Sequence, residues 1–354
     1  MQSTSKEIVD DAILLATLPN LSTPLFLAPV ITWATTHTKN RLIIVLFSRH
    51  FNVHYPEKKD YLTFSENQAL SRTESWDAVQ RILTFTYVQA TKAAQEMNKV
   101  FMDIDVLLRG LNQDFDLDSG LKLDICFRVS GDSIAVPLPS SIGFLRQLYI
   151  PPGDTDPLSR VATSVGTPSI TSQIPSVYPV TALGGTFDHL HAGHKILLSM
   201  GAYITERKLI VGITEDALLK NKANRHILEN LDVRTEKVRQ FLHFFKPEIT
   251  PDIVPIHDVY GPTGWDPDIQ ALVVSKETLN GAEAIAAHRK AQNLPPLRTF
   301  LIDVISATNA SLDHEDAEWL KEHKLSSTFI RQWIVDNNKQ EEEEGDDEKS
   351  SRPK

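Results

Sequence analysis

A short β-prone segment that runs through two glycines into a helical stretch leaves a chain few folds to choose from. Residues Pro179 to Thr205 form such a run: Pro-Val-Thr-Ala-Leu, then Gly-Gly-Thr-Phe-Asp-His-Leu-His-Ala-Gly-His, then Lys-Ile-Leu-Leu-Ser-Met-Gly-Ala-Tyr-Ile-Thr. Gly184 and Gly185 permit a sharp turn with close backbone approach, and Lys195 to Ile204 carries apolar residues at helical spacing. The unit is strand, glycine turn, helix. A helix opening beside such a turn presents unpaired N–H groups and the positive end of its dipole, which together suit a bound phosphate. His191 and His194, three apart, share a helix face at that opening. Zinc is the alternative ligand, because His189, His191 and His194 cluster. Neither a His-Glu-x-x-His pattern nor paired cysteines accompany them, so no resident metal is expected.

Downstream, strand and helix signals alternate. Strands are expected at Leu209–Thr214, Ile253–His257, Ala271–Ser275 and Arg298–Ile302, with helices at Val233–Phe245 and Asn280–Asn293. Short connections between alternating elements demand parallel strands and right-handed crossovers. The fold class is therefore α/β, a Rossmann-like doubly wound parallel sheet over 179–338. Ligands of such sheets sit beyond the carboxyl ends of the strands at the switch point, where Gly184 to His194 falls.

Residues 1–160 mix helix and strand signals and read as a smaller α/β or α+β domain without a chemical motif. Arg41–Phe47, Met102–Leu108 and Leu121–Val129 suit strands, and Trp76–Met97 suits a helix. Ser159 to Pro179 is rich in Ser, Thr, Pro and Gly, so a linker is placed at 161–178. An acidic tail at 339–354 is expected to be disordered. Net charge is −10, of which 341–354 contributes −4 through seven acids and three bases. The remainder is still acidic, which argues against nucleic acid as a partner. The apolar run Pro24–Thr35 is short and interrupted by Pro24 and Pro29, so no membrane span is expected. One cysteine, Cys126, excludes an internal disulfide. With no basic segment at the start of the chain, the cell interior is the expected compartment.

Gly-Thr-Phe-Asp-His-Leu-His-Ala-Gly-His resembles the first signature of the HxGH nucleotidylyltransferase superfamily. Leu325-Ser326-Ser327-Thr328-Phe329-Ile330-Arg331 is similar to that superfamily's ISSTxxR motif. Leu219-Lys220-Asn221-Lys222 and Val273-Val274-Ser275-Lys276-Glu277-Thr278 resemble the eukaryotic phosphopantetheine adenylyltransferases and the matching domain of CoA synthase. The resemblance covers about 178–335. No G-x-x-x-x-G-K-[ST] sequence occurs, so the kinase domain of bifunctional CoA synthase is not expected. Bacterial members carry Thr at the position of His191 and an arginine-rich segment in place of 273–278.

The resemblance implies roles. Gly185, Thr186 and Phe187 belong to the ATP-binding loop, and Thr186 also places the acceptor phosphate through its hydroxyl. His194 donates to the α-phosphate as negative charge builds there, and His191 is a second phosphate contact. Lys222 bridges donor and acceptor phosphates, and Lys276 stands in for the missing arginine charge at the acceptor. Ser326, Ser327 and Thr328 occupy capping positions of a helix, with free N–H groups for ATP. Arg331, four residues after Ser327 and on the same face, has a fork suited to gripping the β,γ-phosphates. Asp188 is expected to hydrogen-bond within its own turn.

The implied activity is AMP transfer from ATP, accompanied by Mg²⁺, to 4′-phosphopantetheine, giving dephospho-CoA and pyrophosphate in coenzyme A biosynthesis. A cytoplasmic setting is implied, with the nucleus and a complex with other enzymes of the pathway left open. Two alternatives stand beside it. One is adenylyl or cytidylyl transfer to another phosphate acceptor, such as nicotinamide mononucleotide or a phospho-sugar alcohol. The other is a non-catalytic scaffold of a CoA-synthesising complex.

Overall fold

Alternating apolar runs and amphipathic stretches resolve into two all-parallel five-stranded sheets, one in each of two units, Met1–Val177 and Tyr178–Lys354. The computed structural model describes residues 8–53, 71–117, 120–154, 175–303 and 326–350, with side chains through residue 338. Residues 161–174 of the expected linker therefore lie outside the described residues, as does Leu325.

The first unit contains β1 (Val9–Thr17), α1 (Ala28–Thr36), β2 (Thr38–Phe47), α2 (Trp76–Glu96), β3 (Asp103–Arg109), β4 (Ile125–Val129), α3 (Ser140–Gly143) and β5 (Arg146–Ile150), with sheet order β3-β2-β1-β4-β5. This decides between α/β and α+β, since every strand pair here is parallel. The central strand β1 and the edge strand β5 were not among the strands expected from sequence.

The second unit contains β6 (Tyr178–Gly185), α4 (Ala192–Ile204), β7 (Thr205–Thr214), α5 (Leu231–Phe245), β8 (Thr250–Ile256), β9 (Ala271–Ser275), α6 (Leu279–Ala291), β10 (Arg298–Ile302) and α7 (Ser327–Ser350). Its order, β10-β9-β6-β7-β8, reverses direction between β6 and β9, which opens the crevice at their carboxyl ends. β6 reads apolar on both faces because both are covered. Val180 and Ala182 pack with Leu272 and Val274 against Ala282 and Ile285 of α6. On the other face Leu183 lies against α4 at Gly201, where a Cβ would run into Leu183 Cδ2. A larger residue there would force the Leu183 side chain to move for α4 to seat this closely on the strand that carries the loop.

α4 begins at Ala192, where His191 caps it through Nδ1, which accepts from Gly193 N at 3.2 Å. α7 continues through Ser350, in keeping with the high helix propensity of Glu and Lys. Among the described residues no helix is long and apolar enough to cross a membrane.

Candidate active site

The β6–α4 loop leaves the sheet at Gly185, where a Cβ would stand 3.1 Å from two ring carbons of Phe187. That ring is fully buried, and its backbone is left-handed, with φ 52°. His189 is left-handed as well, at φ 44°. Two such residues in non-glycine positions store about 1–3 kcal/mol each and persist only where surrounding bonds hold them. Those bonds come from far along the chain. His189 N donates to Glu229 Oε2 at 2.9 Å, and His189 Nε2 lies 3.0 Å from the Ile227 carbonyl oxygen. Glu229 N donates to Asp188 Oδ1 at 2.9 Å. Arg234, with no exposed surface, reaches the carbonyl oxygens of Thr186 and Thr214, both at 2.8 Å, and that of Glu229 at 3.0 Å. Arg234 and Glu229 were missed from sequence. The one available signal was an arginine in the first turn of a helix, where the dipole disfavours it.

At the opening of α4 the rings of His191 and His194 stack, with centroids 3.8 Å apart and planes inclined by 25°, and Phe187 lies 5.2 Å from the His194 ring. Burial, then the His189 and Lys195 charges, hold the His191 pKa down to about 3. Burial, then the His191 and Lys222 charges, hold that of His194 well below the ordinary histidine value. Both rings are therefore neutral at neutral pH. Because His191 Nδ1 accepts from Gly193 N, its proton sits on Nε2, which is left to donate. His194 Nδ1 is buried without a hydrogen-bond partner among the described residues. The two rings thus bring N–H chemistry, not fixed positive charge, to a helix N-terminus.

α7 adds its own N-terminus. Ser326 Oγ accepts from Phe329 N at 3.3 Å and Ser327 Oγ donates to the Asp188 carbonyl oxygen at 2.8 Å, which ties the second motif to the first. The first-turn N–H groups of such a helix have no intrahelical partner. Asp188 is not confined to its own turn, as expected from sequence. One carboxylate oxygen takes Glu229 N and the other takes Arg331 Nη1.

The Arg331 side chain is 2% exposed, and its fork is engaged within the protein: Nη1 on Asp188, Nε on the Ala223 carbonyl oxygen at 2.9 Å, Nη2 on Thr328 Oγ1 at 3.3 Å.

Lys222 is exposed, yet close enough for its charge to depress the His194 pKa. Lys276 follows β9 across the switch point from Gly185 and lies 3.9 Å from Asp303 Oδ2. The structure thus gathers Gly185, Thr186, Phe187, His191, His194, Lys222 and the start of α7 around one crevice end, with Lys276 on its far strand. Among the described residues no group of three or more His, Cys, Asp or Glu could hold a metal ion.

Against known families, the Cytidylyltransferase-like profile matches residues 182–333. The phosphopantetheine adenylyltransferase of Saccharomyces cerevisiae is 45% identical over 157 residues, which cover 44% of this chain and 49% of that protein. An uncharacterized protein of Schizosaccharomyces pombe is 44% identical over 156 residues, 44% of this chain and 48% of its own length. The chain thus spans about half the length of these two relatives. The phosphopantetheine adenylyltransferase of Pyrobaculum aerophilum is 33% identical over 150 residues, 42% of this chain but 88% of the archaeal protein.

Proposed function

The chain belongs to the cytidylyltransferase-like family, with the phosphopantetheine adenylyltransferases as its relatives, and from that premise we propose that its second unit moves AMP from ATP to 4′-phosphopantetheine, forming dephospho-CoA and pyrophosphate. What carries the proposal is the coincidence of the family match with the stacked His191–His194 pair at the opening of α4, on the switch point of a parallel sheet.

An oxygen of the acceptor phosphate attacks the α-phosphorus of ATP. The new P–O bond forms as the bond from the α-phosphorus to the bridging oxygen breaks, and pyrophosphate leaves with that electron pair. The acceptor needs no general base, because its second ionisation lies near pH 6 and it is largely a dianion at neutral pH. His191 and His194 donate N–H groups toward the α-phosphate, where charge accumulates, and Lys222 supplies a cation to neutralise it. The start of α7 receives the β,γ-phosphates on backbone N–H groups. The Thr186 hydroxyl and Lys276 orient the acceptor.

Magnesium would arrive with the triphosphate. The Asp188 carboxylate oxygens are already engaged by Glu229 N and Arg331 Nη1. A cytoplasmic or nuclear setting and a complex with other CoA-synthesising enzymes belong to the same proposal.

The test is purified protein with ATP or CTP and a panel of acceptors that includes 4′-phosphopantetheine and nicotinamide mononucleotide, scored for nucleotidylated product and pyrophosphate. Preference for ATP and phosphopantetheine supports the proposal. Preference for another pair redirects it to a different acceptor, and absence of product with every pair overturns it in favour of a scaffold.

A further inference from the structure

We propose that Arg331 is a positioning residue that locks the Lys222 segment onto the histidine loop, so that Lys222 is held near His194 by a buried ion pair distant from it in sequence. The proposal rests on the adenylyl-transfer reading for its kinetic consequence and on geometry alone for the lock itself.

Three separate pieces of chain converge on this one guanidinium. The Asp188 carboxylate belongs to the β6–α4 loop, two residues beyond Thr186 and three before His191. The Ala223 carbonyl oxygen, which accepts from Nε at 2.9 Å, follows Lys222 directly. Thr328, bonded to Nη2, sits in the first turn of α7. A second bond runs parallel to the first, from Asn224 Nδ2 to Gln332 Oε1 at 2.9 Å, so the segment is tied to α7 at two consecutive residues. Asn224 itself is left-handed, with φ 52°, and such a turn needs outside bonds to stay where it is. On its other side Lys222 N donates to the Leu219 carbonyl oxygen at 3.1 Å, while Leu219 is buried. Lys222 is thus anchored both before and after, with its side chain left exposed, and its charge is felt at the His194 ring. The fork gives this arrangement its geometry. A planar guanidinium fixes the Asp188 and Ala223 acceptors at set angles to each other, which a lysine ammonium does not do.

The lock predicts coupling. With Arg331→Lys, the single ammonium can stay on Asp188 and keep that carboxylate paired while releasing Ala223. A misplacement of about 1 Å can cost on the order of 10²-fold in rate. Arg331→Lys should therefore lower kcat by on the order of 10²-fold and leave the KM for ATP within about threefold. Lys222→Ala should do the same, and the double variant should lose little more than either single one, since the lock acts through Lys222.

If Arg331 instead grips ATP, the KM for ATP rises and the two losses multiply; that result overturns the proposal. Amide exchange provides a readout independent of turnover. Arg331→Lys should speed exchange at 219–226 in the ATP-free protein while the melting temperature stays within a few degrees, and unchanged exchange there overturns the lock even in a protein that transfers nothing. Should Arg331→Lys fold poorly, Gln332→Ala removes the parallel bond without burying a charge. It should accelerate exchange at the same residues to a lesser extent, and protection equal to the parent protein's would count against the proposal.

Discussion

The two units share one strand order, with the first strand central, the second and third to one side and the fourth and fifth to the other, yet the candidate site lies in the second. The difference lies at the carboxyl end of the first strand. β6 ends in two glycines, after which the chain makes two left-handed residues and presents a pair of histidines at a helix opening. β1 ends in Thr17 and is followed by Leu18 to Leu27, a stretch with two prolines and no glycine. Leu18 and Leu27 are buried there, Thr17 N is taken by Asp132 Oδ2 at 2.7 Å, and α1 opens without a side-chain cap. The first unit thus buries leucines at both ends of its turn, whereas the second brings two histidine rings together at a helix opening. Topology supplies the crevice in both, and a dozen residues decide whether it holds chemistry.

The largest expected effect falls on the side of the comparison that has the histidines. Under the proposed adenylyl transfer, His194→Ala removes an N–H donor to the α-phosphate, and losing one such donor typically costs about 10²–10³-fold in kcat. The KM for ATP should change far less, because the interaction strengthens mainly in the transition state. Steady-state kinetics on the purified variant decide it, and near-normal turnover would mean that the two turns are chemically closer than their geometry suggests.

A second effect concerns pH. In the unfolded chain a histidine takes up its proton near pH 6.5. His191 in the folded protein is held down to about 3. Between those values the unfolded state binds a proton that the folded state does not, so stability falls as pH drops through about 6.5 toward 3. Each such group contributes at most about 1.4 kcal/mol per pH unit, and His191, being partly exposed, contributes less. His191→Asn keeps a good N-cap and removes the titration. Urea unfolding at pH 6, 5 and 4 should give a shallower loss of stability for the variant. An identical slope would assign the acid sensitivity elsewhere.

How far the site could be read from sequence follows the same division. The glycine turn, the histidine pair and strands Ala271–Ser275 and Arg298–Ile302 were legible because their signals are local: turn chemistry, helical spacing and short apolar runs. β1 was not, because its second and third residues are Asp10 and Asp11, whose N–H groups both donate at 3.0 Å to Asp124, more than a hundred residues away. The protein partners of Arg331 were not legible for a similar reason. Helical spacing places it on the face of Ser327 but cannot reveal Asp188, 143 residues earlier, or the Ala223 carbonyl. Arg234 and Glu229, which clamp the loop through main-chain groups, leave no spacing pattern at all.

The smallest effect is expected where the comparison is most easily broken, at Asp132. Its carboxylate caps the end of β1 at the position topologically equivalent to the histidine loop, so it is the first residue to suspect if the first unit's turn takes part in chemistry. Its hydrogen bond to Thr17 N is partly buried and joins the β1 end to the turn after β4, which is a structural task. Asp132→Ala leaves that N–H to water or to nothing, a loss of about 1 kcal/mol for a bond of this exposure. In a unit of this size that lowers the melting temperature by roughly 2–4 °C. Adenylyl transfer by the full chain should stay within about twofold of the parent, since about 1 kcal/mol of stability lost in a well-folded unit leaves it almost wholly folded at 25 °C. Thermal unfolding and steady-state kinetics on one preparation separate the outcomes. A fall in kcat of tenfold or more with the second unit's unfolding unchanged would show that the turn after β1 contributes to the reaction.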